Sequence, residues 1–126
     1  MIKSIKIILL ALMMAAINSV VFAQTGTIVH VVNNLARVGV FVTIPTTGIE
    51  PTVGPVNGQS QSSFGPYFLN KRGLFTAFDA RYTHVGFGKC KNQDNLIGSD
   101  VTVIISEEKW INKNIEIICS VKAGTP

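Results

Sequence analysis

The sequence predicts an all-β fold: a single small Greek-key β-sandwich of about seven antiparallel strands with one disulfide. A small β-barrel is the alternative architecture. Three observations carry the prediction. Ile, Val and Thr supply about a third of residues 24–126, while Leu occurs there only four times; side chains branched at Cβ suit the pleated sheet. Eleven Gly and five Pro are scattered between the apolar runs, where they make turns. No window sustains the 3.6-residue apolar period of a helix.

The chain opens on a segment of another kind. Lys3 and Lys6 precede the uninterrupted apolar run 7–17, and a more polar stretch ends in Val21-Phe22-Ala23. Eleven apolar residues are too few to span about 30 Å of hydrocarbon as a helix, which takes roughly 20. The pattern is that of a secretory signal peptide over residues 1–23, cleaved before Gln24. One domain then fills 24–126. Without the leader the formal charge falls from +4 to about +2 and the apolar share from 47% to about 40%. Those values exclude an integral membrane protein after cleavage and a strongly basic nucleic-acid binder. Export, to a periplasm or the medium, also decides how the two cysteines are read. Cys90 and Cys119 have no CxxC spacing, and an oxidising compartment joins them.

Along 24–126 the elements read as follows. Thr27–Val32 is a strand apolar on both faces except at His30, and Asn33-Asn34 turns it. Arg37–Ile44 alternates cleanly, with Val38, Val40, Val42 and Ile44 on one face, and is expected to pair with the first strand as an antiparallel hairpin. Pro45–Gly58 holds three Pro and three Gly, the composition of a long crossover and not of a central strand. Gln59–Phe64 and Tyr67–Leu69 form a strand interrupted at Gly65-Pro66, and Asn70–Gly73 is a turn. Leu74–Phe78 and Tyr82–Phe87 make the next pair. Lys89–Asp100 is polar and turn-rich. Val101–Ser106 is a strand, Glu107–Asn114 a loop or one helical turn, and Ile115–Lys122 the last strand. Its phasing puts Ile115, Ile117, Cys119 and Val121 inward. Absent Asn-x-Ser/Thr acceptors and a short leader fit a bacterial protein.

No constellation for catalysis stands out. There is no GxSxG for a serine nucleophile, and a disulfide removes both thiols. Glu107 and Glu108, as neighbours on a strand, would point to opposite faces. Asn92, Asp94, Asn95 and Asp100 offer oxygen ligands to calcium, but the spacing is not that of an EF-hand loop. Neither a metal nor another cofactor is implied.

What remains is recognition by loops on a stiff scaffold. The 45–58 loop, with Ile49 and Glu50 at its centre, is restrained by Pro45, Pro51 and Pro55. The 107–114 loop carries Trp110, the only Trp of the chain, and Trp is a frequent interface anchor. The expectation is a secreted or periplasmic, non-enzymatic binding protein that presents both loops to a protein or a glycan, such as a hydrolase inhibitor or a surface module. Two alternatives remain. A membrane-active protein would need an apolar face built from Phe41, Phe75 and Phe87. A small hydrolase would use His30 and His84.

Overall fold

The computed structural model describes residues 26–81, 87–92, 100–112 and 114–126. The leader, the Tyr82–Gly86 part of the expected fifth strand and Gln93–Ser99 lie outside them. Nine strands are present among the described residues: β1 (Thr27–Asn33), β2 (Val40–Thr43), β3 (Thr52–Val56), β4 (Ser60–Tyr67), β5 (Thr76–Asp79), β6 (Phe87–Lys89), β7 (Lys91–Asn92), β8 (Asp100–Ile111) and β9 (Asn114–Ala123). They form two sheets, a five-stranded one in the order β4-β1-β8-β9-β7 and a four-stranded one in the order β3-β2-β5-β6. The β-sandwich expectation holds, with more and shorter strands than seven. The larger sheet is mixed, because β1 runs parallel to β8 and β7 parallel to β9.

The expected β1–β2 hairpin does not form. β1 pairs with β4 and β8, and β2 with β3 and β5 in the other sheet. Asn33 is the reason. Its side chain is fully buried, and Nδ2 donates to the carbonyls of Val38 at 2.7 Å and Val56 at 2.9 Å, while Oδ1 accepts from the Leu35 N–H at 3.0 Å. Three backbone groups that a hairpin ladder would pair are satisfied by one carboxamide, so the chain can arch from one sheet to the other.

The crossover expected over Pro45–Gly58 is also corrected, since β3 lies within it. Val40 faces Val56 while Val42 faces Val53, so the extra residue at Gly54-Pro55 is a bulge. β4 likewise runs through Gly65-Pro66 on a bulge opposite Thr27 and Val29. Both strands are sheet edges, where proline's missing N–H breaks no ladder bond. The Asn70–Gly73 turn forms as expected, with the Gly73 N–H donating to the Asn70 carbonyl at 3.0 Å.

The loop or helical turn expected over Glu107–Asn114 is instead the end of a long hairpin. β8 continues to Ile111 and returns as β9 through Asn112, at φ 48°, a conformation Asn adopts readily in tight hairpins. A bulge between Ile105 and Glu107 reverses the alternation of β8. Val101, Val103 and Ile105 face the core before it, and Glu108 and Trp110 share that side after it.

The core lies between the sheets. Val29, Val31, Val103, Ile105, Ile117 and Val121 of the larger sheet meet Val40, Val42, Ile44, Phe75 and Ala77, all nearly or wholly buried. The inward phasing of Ile115, Ile117, Cys119 and Val121 is as expected, and Cys90 is bonded to Cys119. At that edge the sheets pinch together: a Cβ on Gly88 of β6 would stand 1.9 Å from the Ile117 carbonyl oxygen of β9.

Candidate functional site

β1 and β8 run toward one end of the sandwich and β2 away from it, which separates the two loops singled out in the sequence. The 44–51 connection lies at one end and the β8–β9 tip at the other. They form two surfaces.

At the tip, Trp110 is 62% exposed and Ile111 44%. Their side chains leave opposite faces of the ribbon, so its last turn is apolar on both sides. Two residues before Trp110, on the same face, Glu108 meets an ionic cluster that sequence reading missed. Asp79 ends β5 in the inward phase of Phe75 and Ala77, and its side chain is fully buried. Arg81, just past β5, reaches back to it: its backbone N–H donates to Oδ1 at 2.8 Å and Nη2 to Oδ2 at 3.0 Å. The same Nη2 donates to both Glu108 oxygens, at 2.8 and 3.1 Å. The Phe75, Ala77, Asp79 alternation was the available signal, because it aims a carboxylate inward where only a paired one is tolerated.

The two carboxyls are pushed apart in acidity. Burial drives the Asp79 carboxyl up, but hydrogen bonds from the Arg81 side chain and backbone outweigh it, and the group titrates below its ordinary value. Glu108 moves the other way. Burial, then a hydrogen bond to Asp79 and the charge of Asp79, raise it against the pull of Arg81. Arg81, held first by its hydrogen bond to Asp79, is a more permanent cation than usual. The cluster therefore pins the base of the tip to β5.

At the other end, Ile49 is 95% exposed and Glu50 is exposed. The loop is tied by the Ile44 N–H to the Pro51 carbonyl, Thr46 Oγ1 to the Ile49 carbonyl and the Thr47 N–H to the Phe68 carbonyl, each within 2.9–3.0 Å. Between it and β4 lies a shallow groove of about 400 Å³ lined by Thr47, Ile49, Pro51, Tyr67 and Phe68, among others.

Of the two histidines, His84 is outside the described residues. His30 is a satisfied, partly covered ring on the outer face of the larger sheet. Ser63 Oγ stands 2.7 Å from its Nδ1 and Asp100 Oδ1 2.8 Å from its Nε2. Asp100, one of the oxygen ligands weighed for calcium, is thus engaged by His30; Asp94 and Asn95 lie outside the described residues. Phe75, which a membrane-active face would need, is 1% exposed and belongs to the core.

No family model matches the chain. No curated protein matches it either. Among solved structures, the chain is similar to a protein from Eubacterium rectale determined by NMR, with a TM-score of 0.46 and 19% identity over 75% of this chain and 87% of that one.

Proposed function

We propose that this is a secreted or periplasmic binding protein whose contact surface is the tip of the β8–β9 hairpin, with Trp110 as its anchor and a cleft on another protein as its target. One observation carries the reading. A large aromatic side chain stands 62% exposed on a ribbon whose base is held by paired charges. A pre-ordered anchor loses little conformational entropy on binding, and a desolvated Trp commonly accounts for 2 kcal/mol or more of affinity. Ile111 on the opposite face favours insertion between two walls of a protein over stacking on a sugar, which needs one face only. The Cys90–Cys119 bridge supports export, since disulfides persist in oxidising compartments.

The test is a crosslinking pull-down from extracellular fractions with the oxidised protein. Trp110→Ala should lose the captured protein, and Ile49→Ala, at the far end, should retain it. Equal capture by the parent and Trp110→Ala would end the proposal. Loss of glycan-array binding in Trp110→Ala, without a protein partner, would move the reading to carbohydrate.

A further inference from the structure

The outer face of the larger sheet carries an arrangement that neither the tip nor the groove uses. Ser63 on β4 lies directly across from His30 on β1, and Asp100 begins the next strand, β8. A carboxylate only accepts hydrogen bonds, so His30 Nε2–H donates to Asp100 Oδ1 across 2.8 Å. That leaves the Nδ1 lone pair to accept the Ser63 hydroxyl proton across 2.7 Å. The His30 side chain is 17% exposed and that of Asp100 28%, whereas Ser63 is open to solvent. The base is sheltered and oriented, and the hydroxyl it polarises is accessible. Those are the relations that activate a serine, recognised by geometry and not by sequence order.

Further along the same two strands lies a hollow of about 230 Å³ lined by Val32, Asn33, Asn34, Gln59, Ser60 and Gln61. Val32 and Gln61 form the cross-strand pair two residues along from His30 and Ser63, on the same outer face. The hollow thus begins one like-facing pair past the serine, and Ser63 itself is not part of its lining.

From the Ser63–His30–Asp100 row, open to solvent at the serine, we propose that Ser63 is a nucleophile that accepts the acyl group of small esters. This goes beyond the binding reading and does not rest on it. Ser63 Oγ attacks the ester carbonyl carbon as its proton passes to His30 Nδ1. The tetrahedral centre collapses with cleavage of the bond to the leaving alkoxide, which takes the proton from His30 and departs as the alcohol. Water, deprotonated by the same ring, then attacks the acyl-serine, releasing the acid and returning the proton to Ser63. Asp100 is a positioning residue, holding the ring and facing the imidazolium.

The experiment treats the purified, oxidised protein with a fluorophosphonate and, separately, with p-nitrophenyl acetate, and maps adducts by peptide mass spectrometry. The expected result is an adduct on Ser63 and not on Ser60 or Ser62 of the same strand, with a matching burst of p-nitrophenolate. His30→Gln should abolish both. The near-isosteric Asp100→Asn should slow the acylation rate at least tenfold while the urea midpoint and the Cys90–Cys119 bond are kept, an outcome that a purely structural Asp100 would not give. No adduct, equal adducts on Ser60 or Ser62, or undiminished labelling of a folded His30→Gln would overturn the proposal.

Discussion

Asn33 shows how one polar residue can decide the path of a chain. Its carboxamide satisfies two carbonyls and one N–H at the arch between the sheets. Asn33→Ala leaves these groups without a partner in a largely buried place, at a cost of about 3 kcal/mol; urea denaturation should register the loss with an unchanged m-value. Gly88 acts through what it lacks. With the Ile117 carbonyl 1.9 Å from where a Cβ would stand, Gly88→Ala must push β6 from β9 and should lower stability by about 1–3 kcal/mol, the range of overpacked sites. Glu108 couples the fold to pH. Its carboxyl is raised in the folded chain, so the folded state holds that proton more tightly than the unfolded one. The resulting stability is complete below the ordinary glutamate range and fades as pH rises through the raised value. Asp79 is lowered and contributes the opposite way, above the ordinary aspartate range, losing its share as pH falls through its folded value. Urea midpoints across mild acid to neutral pH should therefore fall less with rising pH in Glu108→Gln than in the parent.

Among the elements, β8 has the most consequence. One bulge after Ile105 turns the side that faced the core with Val103 and Ile105 over to Glu108 and Trp110. The first half of the strand is core, and the second is a projecting ribbon. Trp110 is 62% exposed, so Trp110→Ala should change stability by no more than about 0.5 kcal/mol, the range of surface substitutions. Thermal unfolding checks this, and a near-neutral result is also what makes the variant a clean probe of binding. The edge strands β3 and β4 illustrate a second rule. Each carries a Gly-Pro pair at a bulge, which kept their residues from reading as continuous strands although the edge tolerates both residues.

For the whole molecule, the disulfide joins residues 29 apart where the chain leaves β6 in one sheet and enters β7 in the other. In the chain-entropy model, closing a loop of that length removes about 3.6 kcal/mol of unfolded-state freedom; reduction should lower the unfolding free energy by an amount of that order. The amino-acid sequence alone determined the β class, the Cys90–Cys119 pair and the inward face of β9. Each depends on local composition, on a period of two, or on there being only two thiols to join. Tertiary structure decided the rest. Which strands pair depends on the Asn33 arch, whose partners Val38 and Val56 are brought together only by folding. The Arg81–Glu108 link of the ionic cluster and the Ser63–His30–Asp100 row join residues 27 to 70 positions apart. No spacing rule reaches across such distances, because strand order, unlike side-chain alternation, is set by long-range burial of the whole chain at once.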